Sequence, residues 1–205
     1  MADAEGAGRL ALFLHRKNIE ISLERYGIQA LSSMAQGLFC SLLIGTILST
    51  LGRQMEIALL IEVGQFASAM SGPAMAVAIG YALRSPPMVL FSLVVVGSAA
   101  NAIGGAGGPL AVLIIAIVAA ECGKLVSGET RVDILVTPGV TIVCGVMLSL
   151  AIAKPIGEAA SSVGQLVIMA TALEPFWMGV VVSVTVGMAL TLPISSAAIC
   201  AALGL

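Results

Sequence analysis

Uncharged and mostly apolar runs cover residues 26–52, 63–83, 85–120, 134–153 and 175–205. A run of about 18 or more such residues is long enough to cross the hydrocarbon core of a bilayer as a helix. None of these runs alternates apolar with polar positions, as the strands of a membrane barrel do. In lipid the backbone amides must pair within their own segment, so runs this rich in Leu, Val, Ile and Ala predict helices. The fold class predicted is therefore an all-α integral membrane protein, a polytopic helical bundle whose partner is the lipid bilayer.

The polar positions divide the bundle. Residues 1–25 form an amphipathic N-terminal segment in which Leu10, Phe13, Leu14 and Ile21 share one side of a short interfacial helix. Residues 26–205 form the transmembrane domain, with about six or seven hydrophobic segments. Spans are predicted near 26–51 and 57–83, with Arg84-Ser85-Pro86-Pro87 closing the pair. The run from Ser85 is too long for one crossing, and the glycines between Asn101 and Pro109 divide it into 87–103 and 109–126. A further span, 132–153, is interrupted at Thr137-Pro138-Gly139, and residues 154–158 read as a turn. Residues 159–173 make either a marginal span or a surface helix.

Charge changes this picture by orienting it. Nine basic and eleven acidic residues give a net charge of -2, and no basic tail or aromatic-basic interleaving points to a nucleic acid. With the N-terminus inside, Arg9, Arg16, Lys17, Arg25, Arg84, Lys124 and Arg131 fall on the cytoplasmic side, against Arg53 and Lys154 outside. The expected location is a bacterial cytoplasmic (inner) membrane, crossed many times. The cysteines Cys40, Cys122, Cys144 and Cys200 are far apart and read as small apolar residues.

A repeat is visible as well. Ala30, Leu31, Gly37, Ser41, Gly45 and Leu48 recur 142 positions later as Ala172, Leu173, Gly179, Ser183, Gly187 and Leu190. Small residues at four-residue spacing form a stripe on one helix face, which lets two membrane helices approach closely. Transporters are often built from such repeats. Because the second copy is short, the chain is expected to be incomplete at its C-terminus, the N-terminal part of a longer protein or one completed by another piece.

Candidate chemistry is sparse. The single histidine, His15, lies in the N-terminal segment, and no cluster has metal-ligand spacing, so no catalytic residue, metal or cofactor is expected. Broken helices at membrane depth free backbone groups that bind solute where they line a cavity, so three breaks are candidate substrate-binding segments. The first comprises Asn101, Gly104, Gly105, Gly107 and Gly108; a plain tight turn is the competing reading. In the second, Thr137 and Thr141 flank Pro138, with a structural kink as the competitor. The third, Pro193 with Ser195 and Ser196, reads as the start of a half-helix whose amides and hydroxyls face a small polar solute. Glu121, Lys124 and Asp133 are charged candidates, since ionisable groups at membrane depth are costly, or else interfacial charges in solvent. Glu121 and Lys124, three apart, share a helix face.

At Gly107-Gly108-Pro109-Leu110-Ala111, Glu121-Cys122-Gly123-Lys124, Val132-Asp133-Ile134-Leu135-Val136-Thr137-Pro138, Glu174-Pro175-Phe176-Trp177 and Leu192-Pro193-Ile194-Ser195-Ser196, the chain resembles the membrane IIC component of the sugar phosphotransferase system. It is most similar to the toxin-regulator, PfoR-like branch, whose members are longer. The resemblance runs from about residue 26 to the end. It implies a homodimeric permease, similar to elevator-type carriers, that moves a sugar while separate IIA and IIB proteins supply phosphoryl transfer. The chain departs from that pattern in lacking a histidine in any span. Two functions follow as expectations: a permease subunit for a small polar solute, or a membrane-embedded ligand sensor without net transport.

Overall fold

The computed structural model describes residues 13, 15–19, 22–160, 162, 183, 184 and 187. All regular structure among them is helical, in six helices: α1 (Glu24–Gln54), α2 (Ala58–Ala69), α3 (Ser71–Ala82), α4 (Pro87–Gly104), α5 (Gly108–Val126) and α6 (Asp133–Ala160). Of these, α1, α4, α5 and α6 are long and apolar enough to cross a membrane. Exposed Ile28, Phe39, Leu51, Phe66, Phe91 and Met147 coat the outside, as expected where the solvent is lipid.

The repeat's stripe explains how α1 packs. A Cβ on Gly37 would stand 2.6 Å from the carbonyl oxygen of Ala74, one on Gly45 2.6 Å from that of Gly64, and one on Gly52 2.7 Å from the amide of Ile61. The three contacts share one antiparallel register that passes from α2 into α3 without a jump. Thus α2 and α3 together form a single partner for α1, broken at Met70. Ser41 and Ser49, also buried in this seam, fill the places between the glycines, and the Ser41 hydroxyl donates back to the Gly37 carbonyl at 2.7 Å.

Beside this pair stands a bundle of α3 to α6. Gly72 and Gly97 face each other across α3 and α4, where a Cβ on either would lie 2.4–2.5 Å from the other's carbonyl oxygen. The hairpin of α4 and α5 closes through a three-residue turn, Gly105–Gly107. Gly105 has φ 52 and ψ -122, a conformation open to glycine and strained for residues with a Cβ. Its core is a wall of Val89, Leu93, Val96 and Ala100 against Val112, Ile115, Ala116 and Ala119.

The buried face of α6 is a second stripe that the sequence reading did not identify. Thr137, Thr141, Gly145, Ser149, Ala153 and Gly157 recur every fourth residue and all are buried. A period of four drifts around a helix of 3.6 residues per turn. Both α1 and α6 contain wide i→i+5 turns within their stripes, at Phe39–Leu43 and Ser149–Ala153. A wider turn holds more residues, which keeps a four-residue stripe pointed at one neighbour.

Several expected boundaries differ. The span expected at 57–83 is two helices, since Pro73 has no amide for the carbonyl of Ala69 and the helix restarts at Ser71. Conversely, no interruption occurs at 137–139, because α6 runs through Pro138 near its first turns. Residues 154–158 are helical rather than a turn. The wide turn ahead of Pro155 already breaks the ordinary carbonyl ladder where that ring would clash. The N-terminal segment is not one helix, as Asn18 adopts φ 57, a left-handed geometry that asparagine tolerates. Apart from Ser183, Val184 and Gly187, the second repeat copy and the 175–205 span lie outside the described residues, as do most of 159–173 and all of 1–12.

Candidate functional site

The antiparallel course of the helices sorts polar residues to two places. One is the end of the bundle where α1 starts, α3 gives way to α4, and α5 gives way to α6. Arg16, Lys17, Arg25, Arg84, Lys124 and Arg131 all belong to this end, while Arg53 and Lys154 belong to the other.

The last turn of α5 contributes Glu121 and Lys124, one turn apart on a face that turns inward. The Lys124 ammonium is 1% exposed and pairs with Glu121 Oε1 at 2.8 Å. It also donates to the backbone carbonyl of Asn18 at 3.4 Å. Among the described residues Glu121 Oε2 is buried without a hydrogen-bond partner, and the side chain lies beside the phenol of Tyr26. Arg25, buried at the start of α1, donates to the Asn18 carboxamide oxygen at 3.2 Å and to the Leu83 carbonyl at 2.8 Å. The second bond occupies one of the carbonyls that the end of α3 leaves unpaired.

Above these buried groups, the N-terminal segment is tied to the connection between α5 and α6. Arg16 and Lys17 both reach Glu129 Oε1, at 2.8 and 2.6 Å, and Lys17 also donates to the carbonyl of Ser127. The Lys17 hydrogen bond, reinforced by the charges of both cations, holds the Glu129 carboxyl below the usual glutamate range. Asp133 takes the amide of Gly128 at 2.8 Å and the hydroxyl of Thr137, which organises the start of α6. Between these elements opens a cleft of about 560 Å³, lined by Arg16, Lys17, Arg84, Lys124 and Glu129 among others.

The second place is the turn between α4 and α5. Asn101 lies inside α4, one turn before its end, and its carboxamide nitrogen is 3.5 Å from the hydroxyl of Ser71, the first residue of α3. A Cβ on Gly108 would stand 2.4 Å from Asn101 Oδ1. Two backbone breaks, at Met70 and at Gly105–Gly107, therefore meet around one asparagine. By the register of α1 with α2 and α3, this junction is level with Ser41, about midway along α1.

Of the candidate segments, Asn101, Gly104, Gly105, Gly107 and Gly108 are thus gathered around one turn. Thr137 and Thr141 lie at the opposite, charged end: Gly123 on α5 abuts the Thr141 hydroxyl, and Gly108 to Gly123 is roughly 22 Å of helix. Both threonines are fully buried, and the Thr141 hydroxyl donates to the Thr137 carbonyl at 2.8 Å. Pro193, Ser195 and Ser196 lie outside the described residues. Glu121, Lys124 and Asp133 share the charged end. The sequence reading missed Ser71, Asn18, Arg84 and Glu129. The clustering of cations on one side was the available signal for Arg84, and Pro73 was the signal for a break beside Ser71. Among the described residues no group of three or more His, Cys, Asp or Glu could hold a metal.

No curated protein and no solved structure matches the chain. A family model described as the phosphotransferase system EIIC component matches residues 28–205, which takes in all of α2 to α6 and nearly all of α1. With that match over most of its length, this multi-pass helical membrane chain belongs to the phosphotransferase system EIIC family.

Proposed function

We propose that the chain is a permease subunit that moves a small polar solute, a sugar in the first instance, and relies on separate IIA and IIB proteins for phosphoryl transfer. Family membership supports the permease class. The observation that carries the reading is the junction of Asn101 with Ser71, where two broken helices meet. Irregular backbone among membrane helices is tolerated where protein or a wet pocket shelters it. The Asn101 carboxamide, with two donors and an acceptor, has one bond to protein among the described residues, at 3.5 Å. It retains capacity for the hydroxyls of a sugar or polyol. A neighbouring hollow of about 540 Å³ between α1 and α3 has apolar walls, including Met70, Pro73 and Val77, and suits an acyl chain instead. On this reading Pro193, Ser195 and Ser196 belong to the same solute path, the protein acts as a homodimer, and its charged end faces the cytoplasm of a bacterial inner membrane.

Uptake of radiolabelled sugars and polyols by cells expressing the protein with its native partners tests the proposal. The Asn101→Ala variant, made at normal abundance, is expected to lose at least about tenfold in uptake. Unchanged uptake by that variant, or no uptake by the unaltered protein of any sugar or polyol, would overturn it.

A second reading has its own support. Arg16 and Lys17 clamp the N-terminal segment to Glu129 across the end of the bundle, and such a clamp at the aqueous end offers an output for a sensor of the toxin-regulator type. Glu129→Gln separates the two: altered gene expression with intact uptake favours sensing, whereas unchanged expression counts against it.

A further inference from the structure

We propose that the cleft at the charged end of the bundle is a binding site for a phosphate-type anion. Among the described residues four cations line it, Arg16, Lys17, Arg84 and Lys124, with Glu129 as the one carboxylate. That carboxylate is already shared between Arg16 and Lys17. The Arg84 guanidinium has no hydrogen-bond or ion-pair partner among the described residues, although the left-handed backbone at Arg84, φ 54, fixes where its side chain departs.

The second observation is Lys124. An ammonium that is 1% exposed is expected to have all three of its donors engaged. One goes to Glu121, a second makes a long bond of 3.4 Å to the Asn18 carbonyl, and the third has no acceptor among the described residues. The open donor belongs to a residue that lines the cleft. A buried lysine with an open donor among the described residues, sharing its cleft with two arginines, suits an anion.

Chemistry selects the class. Guanidinium forks match the paired oxygens of a phosphate, and the four cations, set against Glu129 and the Glu121 that pairs with Lys124, suit an anion carrying more than one negative charge or several acceptor oxygens. A simple carboxylate would leave Arg84 or Lys124 unmatched. The phosphate can come from two sources. Exposed Leu125, Val132, Ile134 and Leu135 lie at the same end of the bundle, where acyl chains of an anionic phospholipid would run. Alternatively, the cleft takes a soluble phosphate monoester from the aqueous side.

The test uses the full chain in phosphatidylcholine nanodiscs. Inorganic phosphate is titrated by calorimetry in one arm. In the other, native mass spectrometry counts phosphatidylglycerol retained from mixed phosphatidylglycerol–phosphatidylcholine discs. The Arg16→Gln/Arg84→Gln double variant leaves Lys17 to hold Glu129 and is expected to keep the thermal midpoint. Its affinity in the arm that binds should fall by about tenfold or more, and Arg84→Lys should fall between the two. Retention of phosphatidylglycerol without phosphate binding assigns the site to a lipid headgroup, and phosphate binding in pure phosphatidylcholine assigns it to a soluble ligand. The proposal is overturned if neither probe binds the unaltered protein, if the folded double variant binds as tightly, or if acetate competes as well as phosphate.

Discussion

Lys124 and Glu121 make the sharpest case for residue-scale energetics. A buried ion pair contributes little over a well-packed apolar pair, yet removing one partner leaves the other charged and unsatisfied. Glu121→Leu is therefore expected to destabilise the protein by about 3 kcal/mol. Glu121→Leu with Lys124→Met should recover most of that loss, as measured by thermal unfolding in detergent. Equal losses in the single and double variants would mean that the pair does not set stability. Glu129 behaves differently, because its own carboxylate is exposed and its effect is local. Its carboxyl is held below the usual value, so the strap on the N-terminal segment is complete above the ordinary glutamate pKa of about 4.3 and is lost as the pH falls through the lower, folded-state value. Proteolysis within residues 15–19 should stay slow at neutral pH and speed up only in acid, and Glu129→Gln should be cut quickly throughout. The Glu121–Lys124 pair was legible from three-residue spacing alone. The contact of Lys124 with Asn18 was not, since it joins positions 106 apart through a tertiary fold.

At the scale of elements, two stripes of small residues decide which helices touch. The stripe of α1 was legible because it recurs as a repeat. The stripe of α6 was overlooked because Pro138 and Pro155 drew the reading toward interruptions, although Thr137, Thr141, Gly145, Ser149, Ala153 and Gly157 stand in plain four-residue order. A proline ends a helix only when its missing amide and its ring cannot be accommodated. Pro138 is accommodated near a helix start and Pro155 after a wide turn, whereas Pro73 coincides with a true break. This placement also changes what Thr137 and Thr141 are expected to do. If they pack, Thr137→Val and Thr141→Val keep the shape of the seam, and uptake should remain within about twofold with a stability change below about 1 kcal/mol. Gly123→Leu should instead be severely disruptive, because a Cβ there already meets the Thr141 hydroxyl at 2.4 Å. Loss of uptake in a stable Thr141→Val protein would restore that threonine as a solute ligand.

For the whole molecule the question is depth. At about 1.5 Å per residue, α1 is roughly 46 Å long and α4 roughly 27 Å, and both begin at the charged end. Asn101 is level with Ser41, so α1 and α2 continue roughly 20 Å beyond it before they join. That continuation is not a polar stalk. It exposes Ile44, Ile47, Leu51, Leu59, Val63 and Phe66, which belong in hydrocarbon. A bilayer that covers these residues and still leaves Arg84 and Arg131 in water must also cover the turn at Gly105–Gly107. The hairpin of α4 and α5 is then expected to enter and leave from the charged side, a topology that the glycine-rich break alone could not distinguish from two short crossings. Either topology leaves Arg84, Lys124 and Arg131 on one side, so the excess of cations there does not distinguish the two. Cysteine labelling separates the cases once Cys40, Cys122, Cys144 and Cys200 are replaced by serine or alanine. An impermeant maleimide should label Arg131→Cys from the cytoplasmic side and Gln54→Cys from the opposite side. Ala102→Cys, beside the turn, should react slowly from both, because maleimides need a thiolate in water. Rapid labelling of Ala102→Cys from the Gln54 side would place the turn at the aqueous surface, and the sheltered junction of Asn101 with Ser71 would lose its standing as a solute site.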